Sequence, residues 1–78
     1  MAVLVYSTNT CPYCIMAKQY LKQKGVDFEE VDVSADEGKA QEMIVKSNQQ
    51  GVPVIDFNGK IIVGFNKTEL DKEIKKMN

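Results

Sequence analysis

The sequence predicts an α/β fold, one mixed four-stranded sheet with helices on both faces in the order β-α-β-α-β-β-α. Three observations predict it. Two strand-like stretches, 2–6 and 26–33, flank a helical pattern, and such a β-α-β unit has parallel strands and a right-handed crossover. Asn58-Gly59 between two apolar runs is the strongest short hairpin signal. Asn66 and Glu69 form a capping pair ahead of a final amphipathic segment.

Each element has a local cause. Ala2 to Tyr6 read as a short buried strand, and residues 7–10 are turn-formers. Pro12 suits the first position of a helix, where a missing N–H costs nothing. Cys14, Ala17 and Leu21 then share one helical face, with Tyr13, Met16 and Tyr20 beside it, while Lys18 and Lys22 point elsewhere. Gly25 stands where a C-terminal cap glycine belongs. The second strand covers 26–33. Ser34 and Glu37 read as a capping box opening a second helix over 35–48, with Ala40, Met43, Ile44 and Ser47 on its inner face. A third strand covers 51–57 and contains Pro53 near its start. Residues 60–63 return, and the last helix runs to about Met77 with Leu70 and Ile74 inward and Asp71, Lys72, Lys75 and Lys76 solvated.

Composition narrows the function. The 78 residues make one domain, 1–78, with a modest core. Ten basic residues against eleven acidic ones argue against a nucleic-acid or anionic-membrane footprint. There is no histidine, the commonest metal ligand and usual general base. The N-terminal apolar run has no basic flank and is too short for a signal segment or a membrane span, so the chain is expected in the cytoplasm. In that compartment a C-x-x-C pair serves redox or metal chemistry more often than a permanent disulfide.

Cys11 and Cys14 are the only cysteines, and they lie between an apolar strand and a helix start. A disulfide between them would close a tiny loop of little entropic value. Their pairing is therefore chemical. A helix N-terminus offers partial positive charge and free N–H groups, which favour a thiolate, the nucleophile of disulfide exchange. Cys11 is the expected nucleophile. Cys14, one turn on, is the expected resolving thiol, and it also packs on the inner helix face. Zinc or an iron–sulfur cluster needs four soft ligands, and one chain supplies two, so no metal site is expected. A dimer pooling two pairs as an iron–sulfur carrier is the reading from another class.

Tyr6-Ser7-Thr8-Asn9-Thr10-Cys11-Pro12-Tyr13-Cys14, followed by Ala17-Lys18, resembles the active-site segment of the glutaredoxins. Val52-Pro53 resembles that family's Val-Pro step, in which the proline is cis. Gly64 stands where the family carries a Gly-Gly-x-Asp turn before its last helix. The resemblance covers nearly the whole chain and implies a thioredoxin-like fold. It implies a monomeric thiol–disulfide oxidoreductase with no tightly bound cofactor and with glutathione as cosubstrate. Its partners would be glutathionylated or disulfide-containing proteins. Cys11 and Cys14 would be catalytic, and Thr10, Tyr13, Val52, Pro53, Gly64, Phe65, Asn66 and Lys67 would line the glutathione site.

Several of those positions carry a plainer reading as well. Tyr13 either flanks glutathione or covers the helix start as a half-exposed aromatic. Pro53 either turns Val52's backbone toward Cys11 or simply begins a strand in trans. Residues 64–68 either hold a γ-glutamyl carboxylate on backbone N–H groups or are an ordinary capped helix start.

Three positions depart from the family pattern. Thr8 stands where many members have lysine, and Ala40 where many have Arg or Gln reaching the glycine carboxylate of glutathione. Phe65 replaces the second glycine, and the acidic pair after it is absent. Gly64-Phe65 resembles the glutaredoxin-like redoxins reduced by thioredoxin reductase, which implies an alternative role as electron donor to ribonucleotide reductase.

Overall fold

The computed structural model describes residues 3–77. Its elements are β1 (Val3–Ser7), α1 (Pro12–Gln23), β2 (Glu29–Asp32), α2 (Glu37–Ser47), β3 (Val54–Phe57), β4 (Lys60–Val63) and α3 (Lys67–Met77). The sheet order is β2-β1-β3-β4. β1 pairs parallel with β2 and antiparallel with β3, and β3 pairs antiparallel with β4. This is the thioredoxin-like arrangement expected from the sequence.

The alternation of β1 separates two cores. Val3 and Val5 meet Ala17 and Leu21 of α1, Leu70 of α3 and the inner residues Ile55, Phe57 and Ile62. Leu4 and Tyr6 point to the opposite face, where Val54 and Ile61 meet Met43 and Ile44 of α2. α1 and α3 therefore cover one face and α2 the other. The predicted stripe of Cys14, Ala17 and Leu21 is fully buried. Met16 is instead 45% exposed, because it lies off that stripe.

Local rules shape the ends of the elements. Gly25 adopts φ +73, its amide reaches the Lys22 carbonyl, and the Val26 amide reaches the Leu21 carbonyl. Together these form a Schellman cap on α1. Asn58 and Gly59 both have positive φ (56 and 103), as a tight two-residue hairpin requires.

The structure shortens or shifts four predicted elements. Ala2 lies outside the described residues. Ser7 belongs to β1 rather than to the following turn, since it pairs with Asp32 and is buried. β2 begins at Glu29, because the cap of α1 uses the Val26 amide. β3 begins at Val54, because the Gly51 amide is taken by the Gln49 side chain and Pro53 has none to give. The cap of α2 is Asp36, not Ser34. Asp36 Oδ1 accepts from the Gly38 and Lys39 amides at 2.9 and 3.2 Å, while Ser34 is engaged by the Asp32 carboxylate.

A polar cluster fastens α2 to the sheet. The Tyr6 hydroxyl donates to Glu42 Oε2 at 2.6 Å, and Lys46 Nζ donates to the Tyr6 hydroxyl at 2.7 Å and to Asp56 Oδ2 at 2.8 Å. Burial works to raise the Asp56 carboxyl, but the hydrogen bonds from Lys46 and the Gly59 amide outweigh it and hold the group below the usual range. Hydrogen bonds to Asp56 and Tyr6 hold the Lys46 ammonium above its ordinary value.

Leu70 is the buried anchor of α3. Leu70→Ala is expected to cost about 2–5 kcal/mol, a large share of the stability of so short a chain. Urea denaturation will read this as a lower midpoint at unchanged slope. Tyr6→Phe, which deletes only the hydroxyl link to α2, is expected to cost about 1 kcal/mol in the same assay.

Candidate active site

The β1–α1 turn brings the two cysteines together. Cys11 is the N-cap of α1 with extended backbone (φ −97, ψ 109), and Pro12 follows at the first helical position. Proline there sacrifices no helical hydrogen bond and fixes the entry of the chain. The Cys11 carbonyl accepts from the Ile15 amide at 3.2 Å, and its Sγ accepts from the Cys14 amide at 3.2 Å. The sulfur thus takes the place usually held by a serine or aspartate oxygen in a helix cap. It receives an N–H and the positive end of the helix dipole together, and both stabilise negative charge.

The two thiols differ sharply in environment. Cys11 is half-buried and Cys14 fully buried. Burial, with the hydrogen bond to Cys11, pushes the Cys14 thiol up to about 11. The Thr8 amide and the Lys18 charge pull the other way without overcoming that.

The second wall comes from the loop before β3. The Val52–Pro53 peptide bond is cis. The Val52 carbonyl lies 3.9 Å from Cys11 Sγ, within sulfur hydrogen-bond range. Pro53 is buried, and its carbonyl accepts from the Gly64 amide at 2.8 Å. Gly64 has φ +79, a left-handed conformation that glycine adopts without strain. This bond carries the loop into the approach to α3. Cys11, Cys14, Val52, Pro53 and Gly64 thereby form one connected group.

The remaining candidates lie around it. Thr10 is exposed in the turn ahead of Cys11, and Tyr13 is 62% exposed at the rim. Asn66 Oδ1 accepts from the Glu69 amide at 3.2 Å, so the predicted cap of α3 forms. Phe65 is half-buried and meets Tyr20 edge to face at 5.9 Å. Lys67 Nζ sits 5.6 Å from the Tyr20 ring centre and 5.9 Å from that of Phe65. The side chains of Phe65 and Lys67 therefore turn toward the third turn of α1, whereas their backbone stays at the start of α3.

Sequence reading missed two groups near Cys14. The Thr8 amide acts on its sulfur, and so does the charge of Lys18, which is ion-paired to Glu30. Lys18 was discoverable from its spacing four residues after Cys14, but its partner depends on strand register. Among the described residues no group of three or more His, Cys, Asp or Glu side chains is arranged to hold a metal ion. No helix among them is long and apolar enough to cross a membrane.

Residues 3–62 match the family model described as glutaredoxin. The chain is 53% identical over 74 residues to an uncharacterised glutaredoxin-like 8.6 kDa protein in a rubredoxin operon of Clostridium pasteurianum, covering 95% of this chain and 99% of that one. It is 40% identical over 62 residues to glutaredoxin 3 of Escherichia coli strain K12, covering 80% of this chain and 75% of that one. Among solved structures, a glutaredoxin from Archaeoglobus fulgidus matches with TM-score 0.87 at 31% identity, covering 95% of this chain and 87% of that one. A C-x-x-C pair at the start of a helix, on a thioredoxin-like sheet, agrees with all three, and the chain belongs to the glutaredoxin family of thiol–disulfide oxidoreductases.

Proposed function

We propose that this chain is a dithiol glutaredoxin that reduces protein–glutathione mixed disulfides and protein disulfides in a reducing, cytoplasmic compartment, with glutathione as cosubstrate. One observation carries the reading. The accessible Cys11 sulfur is the N-cap of α1, and the buried Cys14 thiol lies one turn behind it.

In the first half-reaction the Cys11 thiolate attacks the glutathione sulfur of a mixed disulfide. The protein thiolate leaves and takes up a proton, and Cys11 becomes glutathionylated. A second glutathione thiolate then attacks the glutathione sulfur of that adduct, which releases oxidised glutathione and restores Cys11. With a protein disulfide, Cys11 attacks first. Cys14 then loses its proton to solvent and attacks the Cys11 sulfur. The substrate thiol departs, and a Cys11–Cys14 disulfide holds the two electrons' worth of oxidation. The α1 terminus and the Cys14 amide are the groups placed to receive charge on the Cys11 sulfur.

Two further features support a glutathione site. The Val52 carbonyl faces the Cys11 sulfur, where the cysteinyl backbone of a bound tripeptide would pair as an added strand. At the start of α3 the Asn66 side chain satisfies the Glu69 amide. The Lys67 and Thr68 amides are then the ones that would take a γ-glutamyl carboxylate, with Thr10 and Tyr13 flanking the ligand.

Particular residues favour a second reading, a redoxin reduced by thioredoxin reductase that passes electrons to ribonucleotide reductase. Thr8 and Ala40 offer no charge to the glycine carboxylate of glutathione, and Phe65 occupies the second-glycine position. Reduction of the oxidised chain by glutathione, compared with reduction by thioredoxin reductase and NADPH, separates the two readings. Glutathione turning the chain over at the faster rate supports the first, and turnover only with the reductase overturns it.

Cys11→Ser is expected to abolish both activities, while Cys14→Ser spares deglutathionylation and stops protein-disulfide reduction. Steady-state turnover with a glutathionylated peptide and with a protein disulfide measures each arm, and full deglutathionylation by Cys11→Ser would refute the assignment. A pH consequence follows from Cys14. Its thiol is raised in the folded state from about 9 to about 11, so its contribution to stability is complete below pH 9 and lost as the pH rises toward 11. The reduced chain is therefore expected to lose about 2 kcal/mol more than Cys14→Ala between those limits, as read by urea denaturation on each side of the window.

A further inference from the structure

The geometry points to Lys18 as a positioning residue for Cys14: its ammonium, tethered to β2 by Glu30, supplies the charge against which Cys14 becomes a thiolate when it resolves a mixed disulfide. This rests on the reading of Cys14 as the resolving thiol.

The juxtaposition is built by two periodicities. Cys14 and Lys18 are four residues apart on α1, so their side chains start about 5–6 Å apart on one face. In the β1–β2 register, Val5 pairs with Glu30 and Ser7 with Asp32. Val5 packs into the core beneath α1, so the partners Glu30 and Asp32 lie on the same face of the sheet as that helix. Lys18 spans from α1 to this edge, and its Nζ bonds Glu30 Oε1 at 2.5 Å. Only 18% of its side chain is exposed, strong coverage for a lysine.

The charges and dipoles facing Cys14 can be named element by element. α1 contributes Cys11 and Lys18, and the end of β1 contributes the Thr8 amide. β2 contributes Glu30, neutralised by Lys18, and Asp32, whose carboxyl is held low mainly by hydrogen bonds from Ser34 and in part by Lys18. α3 packs Leu70 and Ile74 toward this face, and its Asp71 is engaged by the Tyr20 hydroxyl. β3 and β4 present Ile55, Phe57 and Ile62. Of the groups that oppose the burial of Cys14, the Thr8 amide acts first and Lys18 is the cation among them.

The chemistry gives that charge a task. During resolution the Cys14 thiol gives its proton to solvent, and its sulfur forms a bond to Cys11 Sγ. The bond from Cys11 to the substrate sulfur breaks, and the substrate leaves as a reduced thiolate that is then protonated. Burial makes the first of these events costly, and a cation tethered one helical turn from Cys14 lowers that cost. The tether to Glu30 keeps Lys18 under the helix instead of letting it swing into water.

The test uses the Cys11→Ser chain, in which Cys14 is the sole thiol, followed by ultraviolet thiolate absorbance. Adding Lys18→Met is expected to increase the proton affinity of Cys14 about three- to tenfold, and Lys18→Arg to leave it near the parent value. Lys18→Gln repeats the measurement where Met disturbs packing. In the dithiol chain, Lys18→Met is expected to slow protein-disulfide reduction by the same factor relative to deglutathionylation, with Lys18→Arg restoring the ratio. An unchanged titration, or both activities falling in parallel, would overturn the inference. Full protein-disulfide reduction by Cys14→Ser would instead overturn the resolving role itself, even with the titration shift intact.

Discussion

The hydrogen bond from the Cys14 amide to the Cys11 sulfur, 3.2 Å long, is the constraint around which the site is arranged. It makes a thiol side chain serve as a structural cap. A helix must satisfy its first amides, and here a sulfur does so where an oxygen usually would. The sulfur therefore stays at the positive end of α1 as long as α1 is folded. Cys14 is drawn in by the same bond. Its backbone holds Cys11, and its side chain sits three residues along the helix on the buried stripe with Ala17 and Leu21. The difference between an accessible and a buried thiol thus comes from helix geometry.

That arrangement would be a loose turn without an opposing wall. The wall is built on residues distant in sequence: the Val52 carbonyl near Cys11, the Pro53 carbonyl on the Gly64 amide, and Gly64 leading to α3. Both walls stand on the same sheet. β1 runs into the cysteine turn and β3 runs out of the proline loop, and the two strands are antiparallel neighbours through Tyr6 and Val54. Tyr6 also reaches across to Glu42 and Lys46, so the strand that delivers Cys11 is fixed from the α2 side too. Displacing either strand would move both walls relative to each other.

Most of the fold was legible because its signals are local. The apolar stripe of α1, the glycine at its end, the Asn58-Gly59 hairpin and the Asn66 cap each depend on a few consecutive residues, and each appears where the sequence puts it. The misses share a different cause. Ser7 is a good turn-former that joins β1 because Asp32 pairs with it. Ser34 is a good cap that loses the role because Asp32 holds its amide and hydroxyl, which passes α2 to Asp36. Val26 is a good strand residue whose amide α1 uses. In each case a tertiary or neighbouring hydrogen bond outcompetes propensity. The same holds at the candidate site. Cys11, Cys14, Val52 and Gly64 were visible as motifs, but Lys18 was read as pointing away from the buried stripe, and its tie to Glu30 depends on the register of β2.

The two cysteines pose opposite electrostatic problems, and the fold solves them with different means. In the proposed mechanism Cys11 attacks as a thiolate while remaining in reach of substrate, and backbone N–H groups suit this because they cannot move away. Cys14 needs the reverse for most of the cycle. A thiol that ionised early would compete for the disulfide before the substrate had been engaged, so burial that holds it near 11 is useful. In the proposed mechanism it still ionises once Cys11 carries a mixed disulfide. A side-chain cation partly neutralised by its own carboxylate fits such a group better than a full charge, since it eases ionisation without forcing it. On this reading the helix terminus at Cys11 and the Lys18–Glu30 pair, one turn from Cys14, divide the labour along a single helix.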